Sequence, residues 1–154
     1  MKKFDQLVAE CAKNVKEIFP WDLEEILAER TPLIVDVREP YEYNAMHIKG
    51  SMNVPRGILE TACECDFEET IPELVYARDK EVIVLCRSGR RSIFAVDVMQ
   101  KMGYQNVVSL KTGLRGWVDT ELPLYDIKGN EVDIDEADDY FTPKLRPDQL
   151  SQRD

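Results

Sequence analysis

Residues 81–92 read Glu-Val-Ile-Val-Leu-Cys-Arg-Ser-Gly-Arg-Arg-Ser, an apolar run that delivers Cys86 into a short loop before a helical pattern begins. A thiol at the end of a buried strand, facing a helix start, meets free backbone N–H groups and the positive end of the helix dipole. Arg87, Arg90 and Arg91 add permanent positive charge within five residues of it. Each of these favours thiolate over thiol, so Cys86 is expected to act as a nucleophile. Most strand cysteines are small core hydrophobes. Packing gives no reason, however, for three guanidiniums and a glycine to crowd behind this one.

The other thiols carry weaker signals. Cys63 and Cys65 form a Cys-x-Cys pair without the second pair or nearby histidine that a zinc site needs, so no metal is expected. They could accept a group from Cys86 or protect it as a disulfide, but the simpler reading is two incidental thiols, blunted by the acidic neighbours Glu64 and Asp66. With Cys11 the chain has four cysteines and no secretory pattern: Asp5, Gln6 and Glu10 interrupt the apolar stretch that a signal peptide would need after Lys2 and Lys3. Reduced thiols and a cytoplasmic location are expected. No stretch approaches the roughly 20 apolar residues that span a bilayer.

The 154 residues suffice for one domain with extensions and a sizeable core. The net charge of −10 argues against general binding to nucleic acid or anionic membrane. Residues 121–154 hold ten acidic and four basic side chains, a net −6 of that total, so small anions can still reach the arginine loop.

The elements needed to position Cys86 are readable from periodicity. Phe4, Leu7, Val8, Cys11 and Val15 fall at helical spacing, and residues 1–14 are expected to form an amphipathic helix. Its stripe would cover the domain or a second copy of the chain, making a homodimer one expectation. A short strand is expected near 15–18. Asp22 followed by Glu25 suggests a capping box, with Leu23, Ile26 and Leu27 as the buried face of the next helix. Leu33–Val37 is a buried strand that closes on Asp36 and Arg38. Short helices are expected at 40–46, near 58–61 and at 72–76, and a brief strand at 51–55. Val82–Leu85 is the strand leading to Cys86; Ala95, Val98, Met99 and Met102 share one face of the helix that follows, with Gly103 as its C-cap. Val107–Leu110 makes another strand, and Gly113–Thr120 a short helix offering Trp117 to the core. Strands alternating with helices imply an α/β domain with a mostly parallel sheet, whose ligands bind at the carboxyl ends of the strands. The acidic stretch Glu131–Asp139 lacks the ligand spacing of a calcium loop and is expected to be solvated or an accessory hairpin.

Five blocks carry a resemblance: LIVDVRE at 33–39, Glu42 with Tyr43, HIKGSMNVP at 47–55, CRSGRRS at 86–92, and Gly113, Gly116 and Trp117. In this order, over about residues 15–122, they resemble a single-domain rhodanese. The resemblance implies a parallel five-stranded sheet flanked by helices, preceded by the helix at 1–14 and followed by an acidic extension at 123–154. It implies a sulfurtransferase with Cys86 as the sulfur-carrying nucleophile. Two positions depart from the family pattern: Met46 stands where a small residue often precedes the histidine, and Thr112 replaces the first of a glycine pair. Related phosphatases and arsenate reductases place five residues between cysteine and arginine. Here Arg91 follows Cys86 after four.

These residues suit a donor such as thiosulfate, whose sulfonate needs positive charge and whose outer sulfur a thiolate can attack. Arg87, Ser88, Gly89, Arg90, Arg91 and Ser92 are the expected donor-binding loop, its N–H groups cradling a persulfide on Cys86. A thiol, a protein acceptor or cyanide would then take the sulfur, with no metal or organic cofactor. Asp36 and Arg38 are expected to brace the neighbouring strand end. His47 is expected to be structural, since an ionised thiolate needs no general base. The alternatives are a protein-to-protein sulfur relay with slow thiosulfate turnover, and a phosphatase or arsenate reductase.

Overall fold

The computed structural model describes residues 1–152; Arg153 and Asp154, the end of the expected 123–154 extension, lie outside the described residues. Five strands form one parallel sheet: β1 (Glu17–Ile18), β2 (Leu33–Asp36), β3 (Met52–Asn53), β4 (Glu81–Leu85) and β5 (Asn106–Leu110). Their order across the sheet is β1-β5-β4-β2-β3, with β4 at the centre. The apolar runs at 33–36 and 82–85 pair in register, Asp36 beside Leu85, so the chain following β2 and the chain following β4 leave the sheet side by side. That is the switch point at which open parallel sheets bind ligands.

Alternation along the strands divides the core in two. Val35, Val37, Val82, Val84 and Cys86 face one side with Ala95, Val96 and Met99 of α6 (Arg91–Lys101), while the short helices α4 (Leu59–Ala62) and α5 (Pro72–Val75) supply Leu59 and Leu74. Ile34, Ile83, Leu85, Val108 and Leu110 face the other. There they meet Leu23 of α2 (Pro20–Glu29) and Leu114 and Trp117 of α7 (Gly113–Asp119). Between β2 and β3 lies α3 (Pro40–Ala45).

Two local expectations are corrected and a third is incomplete. Asp22 does not cap α2 from outside. The helix starts at Pro20, whose fixed φ and missing N–H suit the first helical position, and Asp22 reaches back from the first turn to accept a hydrogen bond from the Phe19 N–H at 2.9 Å. Leu27, expected in the buried face of that helix, is exposed. The acidic stretch keeps its carboxylates exposed, and Glu131 pairs antiparallel with Tyr125 across the 126–130 turn, but past that pairing the stretch is helical, which was not expected. It forms α8 (Ile134–Phe141), with the Asp133 carboxylate accepting from the N–H groups of Asp135 and Glu136. An acidic first turn matches the positive end of the helix dipole, so the charges that obscured the pattern support this helix.

The N-terminal helix α1 (Phe4–Ala12) packs on α6 of its own domain, the Phe4 and Phe94 rings 6.1 Å apart, while Phe4 and Leu7 stay partly exposed. No helix among the described residues is long and apolar enough to cross a membrane.

Through α8 the chain beyond Pro123 enters the core. Phe141 is 1% exposed and joins Leu124, Ala137 and Met46 in the same cluster as Leu23 and Trp117. Phe141→Ala is therefore expected to cost about 3–5 kcal/mol, the range for emptying a buried aromatic site. Urea denaturation reads this as a lower midpoint with an unchanged slope. A midpoint equal to that of the parent would mean that α8 adds nothing to the fold.

Candidate active site

Cys86 is the first residue past β4, and its side chain is 1% exposed. Two backbone N–H groups point at the sulfur, Gly89 at 3.2 Å and Ser92 at 3.3 Å, and the Ser92 hydroxyl lies 3.4 Å from it. Ser92 sits in the first turn of α6, so its N–H is one of the donors that a helix start leaves without an internal partner. Gly89 turns the loop in the left-handed region, φ +85°, and a Cβ there would lie 2.9 Å from the Thr112 nitrogen. The loop can close over the sulfur only with glycine at this point.

The loop rests on the start of α7. The Leu114 N–H donates to the Cys86 carbonyl at 3.0 Å and the Arg115 N–H to that of Arg87 at 2.9 Å. This contact depends on Gly113, where an added Cβ would stand 2.5 Å from the Cys86 oxygen and 2.7 Å from the Arg87 carbonyl. Thr112, where the family pattern expects glycine, adopts φ +66°. A glycine would be unstrained in that conformation.

The three loop arginines part company. Arg91 forms a two-pronged ion pair with Glu42 of α3, Nη1 to Oε2 at 2.9 Å and Nη2 to Oε1 at 3.0 Å. Glu42 also accepts from the Glu39 N–H at 2.9 Å. Burial works to raise its carboxyl, but these bonds and the charges of Arg91 and Arg38 outweigh it and hold Glu42 below the usual carboxylate range. Arg90 turns outward, pairing with Asp5 of α1 at 3.2 Å and covering the Phe4 ring. Arg87 has no carboxylate within ion-pair distance among the described residues and is only partly exposed. Ser88 is exposed at the loop's tip.

Beside the loop, Asp36 and Arg38 form a fully buried pair, with Arg38 Nη2 to Asp36 Oδ2 at 2.8 Å and Arg38 Nε 3.0 Å from Oδ1. Arg38 also donates to the Met46 carbonyl at 2.8 Å, while the Asn53 amide donates to the carbonyls of both Asp36 and Arg38. Val37, between them, donates its N–H to the Leu85 carbonyl at 3.0 Å, which fixes the turn next to Cys86. His47 is occupied elsewhere: Nδ1 donates to the Tyr43 carbonyl at 2.8 Å, the ring stacks on Tyr43, and its backbone pairs with Tyr125.

Residues 20–120 match the Rhodanese-like domain. The thiosulfate:glutathione sulfurtransferase of Saccharomyces cerevisiae is 35% identical over 115 residues, a match that covers 70% of this chain and 83% of that protein. The chain belongs to the rhodanese family. The adenylyltransferase and sulfurtransferase uba4 of Ogataea parapolymorpha is 31% identical over 106 residues, 67% of this chain but only 25% of that longer protein. Among solved structures, a protein of unknown function from Rhodopseudomonas palustris, described as a possible tyrosine phosphatase, superposes with a TM-score of 0.73 at 24% identity. That match spans 80% of this chain and 95% of the other, and at such identity it speaks for the fold alone.

Both named sequence relatives are sulfurtransferases, which supports sulfur transfer at the level of the family, and the surroundings of Cys86 contain features the sequence did not disclose. Ser109 of β5 stood in an apolar run with nothing to mark it, yet its hydroxyl lies 2.8 Å from that of Ser92, fully buried. Glu42 was visible only as part of a motif; its partner Arg91 is 49 positions away. Cys63 is fully buried, and burial rather than Glu64 pushes its thiol up, while the Arg78 charge and the Tyr104 hydroxyl work in the opposite direction. Cys65 is exposed, and Cys11 lies on α1.

Proposed function

We propose that the protein transfers sulfane sulfur through a persulfide on Cys86, with thiosulfate or a related persulfide as donor and a thiol as acceptor. The Cys86 thiolate attacks the outer sulfur of thiosulfate, the S–S bond breaks, its electron pair leaves with sulfite, and Cys86 becomes a persulfide anion. An acceptor thiolate then attacks the terminal sulfur and returns Cys86 as thiolate. The observation that carries this reading is the sulfur cradle, Gly89 and Ser92 N–H groups aimed at a buried Sγ from 3.2 and 3.3 Å. Fixed donors of this kind stabilise anionic sulfur on both sides of the reaction without reorganising.

Of the loop arginines, Arg87 is the one left for the sulfonate, since Arg91 is tied to Glu42 and Arg90 to Asp5. Arg91 then positions the loop rather than the donor. The same ion pair weighs against phosphatase chemistry, which needs its loop arginine on the oxyanion. A sulfur relay between proteins is the second reading, supported by the uba4 match, in which this domain corresponds to a quarter of a larger sulfurtransferase.

Intact-protein mass spectrometry after brief exposure to thiosulfate tests the proposal. The parent is expected to gain one sulfur atom that cyanide removes, and Cys86→Ser to gain none. If the parent loads only from polysulfide, thiosulfate is not the donor and the relay reading gains; if it loads from neither, or if Cys86→Ser loads equally, the persulfide mechanism fails.

A further inference from the structure

Behind Cys86 lies a short chain of buried hydroxyls that the sulfur cradle alone does not require. Ser92 Oγ stands 3.4 Å from the sulfur and 2.8 Å from Ser109 Oγ. Both serines are fully buried. Ser109 reaches this place because its side chain falls on the α6 face of β5, the face to which β4 also delivers Cys86. Its backbone N–H is already spent on the Lys16 carbonyl at 3.0 Å, and its hydroxyl has no partner but Ser92 among the described residues.

Counting protons decides which state of the sulfur this chain fits. Sγ, Ser92 Oγ and Ser109 Oγ make a line of three atoms with two links. Each hydroxyl brings one proton. With a thiolate there are two protons for two links: Ser109 donates to Ser92, Ser92 donates to sulfur, and nothing is left over. With a thiol there are three protons for the same two links, so one donor is stranded in the interior. A buried donor without an acceptor is costly, more so than a formed hydrogen bond is helpful.

We propose that Ser109 is a positioning residue for sulfur transfer: by donating to Ser92 it turns the Ser92 hydroxyl onto the sulfur and biases Cys86 toward the thiolate. The anion then has three donors, the N–H groups of Gly89 and Ser92 and the Ser92 hydroxyl. The role bears on both half-reactions, since the thiolate is the nucleophile in the first and the leaving group in the second. It rests on the reading of Cys86 as the sulfur nucleophile, but it can be tested without a sulfur donor.

The test is the rate at which iodoacetamide modifies Cys86, followed on the peptide that contains it so that Cys11, Cys63 and Cys65 do not interfere, in the parent, Ser109→Ala and Ser109→Thr. At pH 7 the alanine variant is expected to react roughly fivefold more slowly, the order of one hydrogen bond to a charged group weakened but not removed. At pH 10, above the range in which thiols ordinarily ionise, the two rates should converge. The threonine variant keeps the hydroxyl and should recover most of the loss. A parent-like rate for the alanine variant at pH 7 would overturn the proposal. So would a deficit that persists undiminished at pH 10, which would mean altered access to the sulfur. Thiosulfate loading of the parent is measured alongside. Failure there with the expected alkylation pattern removes the sulfurtransferase reading and leaves only the effect of Ser109 on the reactivity of Cys86; the reverse pattern removes only Ser109.

Discussion

Gly113→Ala is expected to reduce sulfur loading of Cys86 by about 100-fold or more and to lower stability by about 3 kcal/mol, although it adds one methyl group to a helix start. The new Cβ would meet the Cys86 oxygen at 2.5 Å and the Arg87 carbonyl carbon and oxygen at 2.7 Å. None of these is the end of a flexible side chain. They are the backbone of the segment that carries the sulfur, held by the Leu114 and Arg115 N–H groups, so relief requires the loop to move away from α7. A shift near 1 Å would take the Gly89 and Ser92 donors out of line with Sγ, which is why activity should fall further than stability. Gly129→Ala supplies the control. Gly129 also has positive φ, +82°, but nothing lies within 4 Å of its added Cβ. It should show the conformational penalty alone, about 1–2 kcal/mol, and load sulfur normally. Urea denaturation and mass spectrometry of the two variants separate strain from close approach. Equal loading in both would show that the α7 contact does not shape the active loop.

What could be read from the sequence follows how local each determinant is. Cys86, Gly89 and the arginines announce themselves because they are rare types packed into seven residues, and the flanking apolar runs place them at a strand end. The strands β2, β4 and β5 were legible for the same reason. Pairings across the chain were not. Nothing in residues 39–43 says that Glu42 belongs to Arg91, and nothing at 106–110 separates Ser109 from a strand residue facing solvent. For α8 the signal existed: Ile134, Ala137 and Phe141 lie at i, i+3 and i+7 after Asp133, a good N-cap. Six carboxylates between positions 131 and 139 drew the reading toward solvent, although their concentration at a helix N-terminus is favourable. At α2, Pro20 was the stronger start signal and Asp22 the weaker, since a proline at the first helical position already fixes the backbone that a capping box only encourages.

The second large effect is expected at Asp36, which never needs to touch the sulfur donor. Asp36→Ala should cost about 3–5 kcal/mol, because it removes one half of a buried ion pair and leaves the other half charged. Arg38 has no accessible surface, and with Asp36 gone its one remaining acceptor among the described residues is the Met46 carbonyl, its Nη1 being already without a partner. Guanidinium does not give up its proton, so the charge cannot be neutralised in place. Two responses are open to the chain, to admit water beside the Phe141 ring, 6.0 Å from the Arg38 guanidinium carbon, or to swing the 36–38 turn outward. Either disturbs Val37, whose N–H holds the Leu85 carbonyl immediately before Cys86, so sulfur loading should fall along with the urea midpoint. The double variant Asp36→Ala with Arg38→Met discriminates between charge and shape. If the stranded charge is the cause, replacing it with an apolar side chain of similar length should recover most of the stability, as buried pairs exchanged for hydrophobic residues commonly do. If the hydrogen bonds to Met46 and the turn matter more, the double variant should be no more stable than Asp36→Ala, and the pair must then be understood as a clamp that sets the geometry of the loop beside it.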